Sequence, residues 1–426
     1  MNTIFKGHIV VRGSSSVPRT VLLLLLVFPG AGLVAQQQGL DFYLATGLER
    51  SPLLKDYGYQ LSALDLDSAK VRATFGPQVS GTGQYLYAPY DKHWGYDVNV
   101  TNGGLYSAVV GARLPLFNKN QKQAQLSGIA VQHNSVRTGA AVTTLDLRRS
   151  IAGQYIAVYA DQRALEFTES QVRLLTEQEQ VLKHLAERGL YQQTDLLALQ
   201  VSLQAQRIAA RQAQALFRND LYALNQLCGV QDTTTIRLLP PELVPSTAFN
   251  ADASPVMQQF RLDSVSNTIA DRTIDLAYRP RLNITGDLGL NAITYTDIPN
   301  RFGGSAGMNL NVPIYDGRQR RLEHDRIALR EQTRQAYQTF YLDQLAQRHG
   351  QFQEALRRAE VLLAELQQQS TEEERLIALY RLELEGGLVR LTDLFLVLNN
   401  HAATVSALIQ SDADRARIIN ELIHLK

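Results

Sequence analysis

Several residue types are scarce in this chain, and each scarcity closes off a class of function. One cysteine, Cys228, in 426 residues excludes an internal disulfide framework and any cysteine-ligated zinc site. Three methionines, Met1, Met257 and Met308, are too few for a thioether metal track or a methionine-rich groove. Neither charge is in surplus: 42 basic residues stand against 41 acidic ones, and a net charge of +1 leaves no electrostatic footprint for nucleic acid. After Ala35 there is no run of about 18 apolar residues, so no helical membrane span is expected. HExxH, CxxC and GxxxxGK are missing and the histidines are dispersed. Zinc hydrolysis and nucleotide use therefore have no residue basis, and no metal or cofactor is expected.

What is present begins with an export signal over residues 1–35. Lys6, Arg12 and Arg19 precede an apolar run, Val21 to Phe28, that is too short to cross a bilayer. Pro29, Gly30 and Gly32 break the run, and small Ala35 marks the expected cut before Gln36. Export without a helical span leaves the periplasm, the outside, or a β-barrel in an outer membrane.

The mature chain reads as two copies of one plan. Ser51-Pro52 is followed by Pro77, and Ser254-Pro255 by Pro280, at an offset of 203. Leu114-Pro115-Leu116-Phe117-Asn118 then matches Val312-Pro313-Ile314-Tyr315-Asp316 at an offset of 198. Gly189-Leu190 with Thr194-Asp195-Leu196 matches Gly387-Leu388 with Thr392-Asp393-Leu394 at the same offset. The second copy has therefore lost five residues between its first prolines and its Pro-Ile-Tyr-Asp segment. Such a change is tolerated best at an exposed loop tip. The first copy is assigned to 36–239; 240–426 holds a proline-rich linker and the second copy.

Within each copy the hydrophobic period changes once. Leu282, Ile284, Leu288 and Leu290 alternate with Asn283, Thr285, Asp287 and Gly289, and Met308, Leu310, Val312 and Ile314 alternate with Gly307, Asn309, Asn311 and Pro313. The first copy alternates more weakly, with Val79, Tyr85 and Tyr87 against Ser80, Thr82 and Gln84, then Val110, Ala112, Leu114 and Leu116 against Gly111 and Arg113. Strands are expected at about 78–88, 107–117, 281–291 and 305–315. Alternation alone suits a soluble sandwich as well as a barrel. The export signal and the clustered Tyr85, Tyr87, Tyr90, Trp94, Tyr96 and Tyr106 favour lipid. Four strands cannot close a barrel of useful width, so closure must come from other copies of the chain.

Beyond each strand pair lies a long proline-free segment rich in Leu, Ala, Gln, Glu and Arg, which reads as extended helix. Leu196, Leu203, Ala210, Phe217 and Leu224 recur every seven residues, accompanied by Leu199, Gln206, Ala213, Asp220 and Leu227. This is a coiled-coil seam, or else the stripe of an ordinary bundle helix. Gly189 and Gly387 mark where each helix turns back, giving helical hairpins over 118–229 and 316–425.

A signal peptide, two tandem copies of strand pair plus helical hairpin, and paired Gly-Leu and Thr-Asp-Leu tips resemble the TolC-like outer membrane efflux proteins. The resemblance covers about Leu40 to Lys426. It implies an α+β membrane protein: a homotrimer with a twelve-stranded β-barrel in outer membrane lipid and an α-helical tunnel in the periplasm. It also implies a periplasmic adaptor (membrane fusion protein) and an inner-membrane pump as partners, in tripartite efflux or type I secretion. The family's tip motif maps onto Gly387, Thr392 and Asp393, with Gly189, Thr194 and Asp195 in the first copy. The second acidic position of the fuller motif is Leu396 here, which leaves three carboxylates per entrance ring. Arg390, one turn before Asp393, is a candidate partner for Asp195 of a neighbouring hairpin. Helix capping suits Asp195 and Asp393 as well, and for Asp393 gating and capping stand level.

Two rivals remain. A periplasmic coiled-coil adaptor or structural rod would carry the helices without a channel, but an adaptor is expected to hold one hairpin. Gly303-Gly304-Ser305-Ala306-Gly307 fits the hydrolase pattern G-x-S-x-G, yet a strand and not a helix is expected after it, so it reads as a hairpin loop entering the last strand.

Overall fold

The computed structural model describes residues 39–426 except 90, 92, 96, 98–102, 233, 235, 245–249, 387 and 426. The expected export signal, Tyr90, Tyr96 and Gly387 lie outside the described residues. The elements are α1 (Leu40–Arg50), α2 (Pro52–Thr74), β1 (Gln78–Tyr87), β2 (Gly104–Leu116), α3 (Lys119–Glu187), α4 (Gln193–Cys228), α5 (Pro255–Ala277), β3 (Arg281–Ala292), β4 (Phe302–Asn311), α6 (Gln319–Glu385) and α7 (Leu391–His424). From α2 to α4 and again from α5 to α7 the order is helix, strand, strand, long helix, helix.

The Ser-Pro landmarks of the repeat are helix starts. Ser51 Oγ accepts the N–H of Leu54 at 3.5 Å and Ser254 Oγ accepts the N–H of Val256 at 3.2 Å, while proline fills the first helical position, where its missing N–H costs nothing. Neither α2 nor α5 is foreseen by the strand and hairpin reading. Only Leu64 of α2 is buried, and Leu53, Tyr59 and Leu66 are exposed, so no single apolar stripe marks it as a helix.

All four strands form one antiparallel sheet in the order β1-β2-β3-β4, and no second sheet faces it among the described residues. The register sorts the side chains. Val79 sits opposite Ala112, Val110 opposite Leu288, Ile284 opposite Met308 and Leu282 opposite Leu310. On the other face Gln84 meets Ser107, Ser107 meets Asn291, Asn283 meets Asn309 and Asp287 meets Ser305. One face is therefore apolar across all four strands, and the other is polar apart from Leu86, Leu105, Val109 and Pro115. The edge strands β1 and β4 are exposed along their whole length.

Two boundaries differ from expectation. β2 begins at Gly104, and β4 runs from Phe302 to Asn311, not to 315, because Pro313 cannot donate to a ladder. The Gly303–Gly307 segment lies inside β4 and is not a loop. Ser305 Oγ donates to Asp287 Oδ2 at 2.6 Å across the β3–β4 pair, which absorbs the supposed nucleophile into the ladder. The copies also turn from strand to helix differently. Phe117 takes a left-handed φ of 59° before α3, whereas Gly317 and Arg318 take φ values of 66° and 70° before α6. Phe117, Ile314 and Tyr315 stand almost fully exposed at these corners.

α3 holds 69 residues and α6 holds 67. At 1.5 Å per residue, each is a rod of roughly 100 Å. α4 and α7 return along them, and two apolar clusters pin the arrangement. One joins Leu182 and Leu199 to Leu384 and Leu394 at the hairpin ends; the other joins Tyr43, Ile151, Tyr155, Phe217, Leu224 and Leu238 near α1. Along α4 the expected seam is kept as far as Phe217. There Asp220 and exposed Leu227 give way to buried Leu221 and Cys228. The two successive four-residue steps, Ala213 to Phe217 to Leu221, with the three-residue step on to Leu224, make an eleven-residue period, the kind that relaxes a left-handed supercoil. The linker is no free tether: Leu238 N–H donates to Gln162 Oε1 at 2.7 Å, Gln162 Nε2 donates to Leu238 O at 3.3 Å, and Tyr155 Oη donates to Leu239 O at 2.7 Å.

Candidate functional site: the hairpin tips and the two-faced sheet

The turn between α3 and α4 is closed by backbone geometry that needs glycine. Gly189 has φ 75°, its N–H donates to Ala186 O, and the Leu190 N–H reaches back to Leu185 O, both at 3.0 Å. Asp195 lies in the first turn of α4, where its Oδ2 accepts the Gln192 N–H at 3.1 Å. Thr194 Oγ1 donates to Gln192 Oε1 at 3.2 Å. Asp195 is thus held by the helix start.

Asp393 occupies the matching place in α7 and differs. Its N–H donates to Arg390 O at 3.1 Å, but among the described residues no hydrogen bond or ion pair holds its carboxylate, which is exposed with Thr392 and Arg390. Within one chain Arg390 and Asp195 form no recorded ion pair among the described residues; the tips are joined by other groups. Tyr191 Oη donates to Val389 O at 2.8 Å, and Arg381 Nη2 lies 3.3 Å from Glu177 Oε2. Burial and the nearby Asp195 raise the Tyr191 phenol above its ordinary range, which keeps it a donor. Sequence reasoning missed Tyr191 because its equivalent in the second copy is Val389, so the repeat gives no signal.

Further from the tips, polar groups sit between the helices. Glu373 Oε1 accepts from Gln369 and Thr404, and buried His401 places Nδ1 3.4 Å from Glu373 Oε2. Asp161 of α3 and Asp220 of α4 bring two carboxyls together; burial first, then Asp220, push Asp161 up to about 7, against a lowering by Arg417. Among the described residues no group of three or more His, Cys, Asp or Glu is placed to hold a metal ion, and no helix is long and apolar enough to cross a membrane.

At the end of the sheet away from the helices, Tyr85 and Tyr106 stack with centroids 4.9 Å apart, and Tyr106 meets Tyr295 at 6.1 Å. Exposed Tyr87 and Trp94 lie near them. An apolar band ending in aromatics, on a sheet whose reverse is polar, is the pattern of a barrel wall in lipid.

Residues 44–230 match the family described as outer membrane efflux protein. The chain is similar to that family over its first copy. Protein CyaE of Bordetella pertussis is 23% identical over 286 residues, which span 64% of this chain and 59% of the relative. The chain thus covers under two thirds of that relative's length. The fold matches the outer membrane channel CmeC of Campylobacter jejuni at a TM-score of 0.71 and 12% identity, over 91% of this chain and 85% of that one. It matches the outer membrane protein VceC of Vibrio cholerae at a TM-score of 0.70 and 13% identity, over 91% and 95%. At such identities these matches establish the fold.

Proposed function

We propose that this protein is the outer membrane exit duct of a tripartite efflux or type I secretion system. The observation that carries the reading is the four-stranded sheet, apolar on one face, mostly polar on the other and, among the described residues, unpaired at both edges. Three copies pairing β4 with the neighbour's β1 close a twelve-stranded barrel with lipid outside and a polar lumen inside. The helices support the same closure. α2 packs on α3, α3 on α5 and α5 on α6, and the next member of that series is the α2 of a neighbouring copy. The exposed Leu322 and Leu329 of α6 and Leu53 and Leu66 of α2 are then covered. Residues 36–239 and 240–426 act as two repeats of one wall, with the barrel in the outer membrane and the long helices in the periplasm.

Transport is passive, and a periplasmic adaptor and an inner-membrane pump supply the work. Three Asp393 carboxylates, uncommitted within their own chains, form a negative ring at the periplasmic entrance, and Arg390 pairs with Asp195 of a neighbouring hairpin to hold the tips shut. Opening is a movement of the tips about the Gly189 and Gly387 turns. A lone coiled-coil adaptor has no use for a sheet with one lipid-suited face.

Detergent-extracted protein is expected to have three times the subunit mass and to insert channels into planar bilayers. Asp393→Ala should weaken block by multivalent cations and Asp195→Ala should leave it unchanged. A single subunit, monodisperse in plain buffer, overturns the reading, and equal block in Asp393→Ala removes the acidic ring.

A further inference from the structure

The sheet carries only three charged residues in its four strands, Arg113, Arg281 and Asp287, and the register puts all three on the polar face. Arg113 lies opposite Thr285, so it stands four strand positions beyond Arg281, about 13 Å farther from the helices. Asp287, opposite Gly111, stands two positions beyond that level, with its carboxylate accepting from Ser305. No ion pair joins Asp287 to either arginine among the described residues, and Arg113 and Arg281 are exposed. All other polar-face positions of the strands are neutral.

Resting on the conduit reading above, we infer that Arg113 and Arg281 form a positive band lining the helix-side half of the barrel, where it draws in anions and anionic groups of permeating solutes. Three copies set six arginines against three aspartates around the lumen. A charged ring inside a low-dielectric wall focuses its field on the pore axis, where counter-ions concentrate and like charges are excluded. The Asp287 carboxylates lie beyond the arginines, toward the outer mouth, so the two signs are separated along the axis instead of cancelling in one plane. The band is opposite in sign to the Asp393 ring, so a solute meets a cation-favouring entrance and then an anion-favouring exit.

The test is block of single-channel current by inorganic tripolyphosphate applied on the barrel side of the full-length protein in a planar bilayer. The double variant Arg113→Gln, Arg281→Gln should raise the half-blocking concentration about tenfold, and Asp287→Asn should lower it below wild type. Opposite shifts from two kinds of variant exclude a mere folding defect. Channels of wild-type conductance whose block is unchanged in the arginine variant overturn the band and leave the conduit standing. Wild-type protein that inserts no channels overturns the conduit and the band together.

Discussion

α3 and α6 hold the same place in two copies of one plan and have nearly the same length, yet their surroundings are opposite. α3 buries thirteen side chains, among them Ile151, Tyr155 and Gln162, against α1, α2, α4, α5, α7 and the linker. Among its described residues α6 buries only Ile327, Leu345, Ser370, Ile377 and Leu384 and packs on α5 and α7. At the repeat offset, the positions of Tyr155 and Gln162 are taken by exposed Gln353 and Glu360. Duplication supplied two rods of nearly equal length, and divergence made one the spine of the protomer and left the other with an open flank, the seam of the proposed trimer.

Three variants put that contrast at risk. The largest effect is expected from Leu322→Glu with Leu329→Glu on α6. Full burial of a leucine contributes about 1.5–3 kcal/mol, and about 1.4 kcal/mol is tenfold in affinity. The double variant should therefore weaken association more than about a hundredfold, lowering the mass in detergent while leaving helical circular dichroism unchanged. Retained trimers would mean that α6 is not the seam. A smaller loss follows Gln162→Ala on α3, which strands the Leu238 N–H and C=O in a buried place at about 1–3 kcal/mol. Tryptic cleavage after Arg237 should quicken in step, whereas Glu360→Ala should be close to neutral; equal behaviour of the two variants would erase the distinction.

The smallest effect concerns pH. The native state holds the Asp161 proton up to about 7, against an ordinary carboxyl value of 3.8, so the folded chain binds more protons than the unfolded chain between those values. Stability should fall as pH rises from about 4 to about 7. Asp220→Asn removes the opposing charge and should flatten the fall in melting temperature; the second copy, with Ala359 and Ile418 at the matching positions, contributes none of it. An unchanged slope in Asp220→Asn would show that the carboxyl pair is not its source.

What could be read from the sequence was periodic. The alternation of Leu282, Ile284, Leu288 and Leu290, the heptads from Leu196 to Phe217 and the paired tips all express repeated geometry, which survives without knowledge of neighbours. Single side chains that act across the fold left no such trace. Gln162 looks like any surface glutamine until Leu238 comes to lie beside it. Tyr191 has no counterpart in the second tip. Leu221 takes over the seam from Asp220 where the period changes, a change set by packing against α3. α2 was hidden for a related reason, since a helix that meets its own chain on one side and an open flank on the other spreads its apolar residues around the axis.

The exposed corner residues Phe117, Ile314 and Tyr315 gain meaning when set beside Tyr85, Tyr87, Trp94 and Tyr295 at the far end of the strands. Tilted strands of this length rise through about 25 Å, close to the thickness of the oily layer that the proposed barrel would cross. In that barrel two collars of exposed, largely aromatic side chains at that separation would act as a depth gauge: pushing the duct inward or outward would drag one set into hydrocarbon and the other into water. On that reading the bilayer itself fixes how far the helical rods reach toward the opposite membrane.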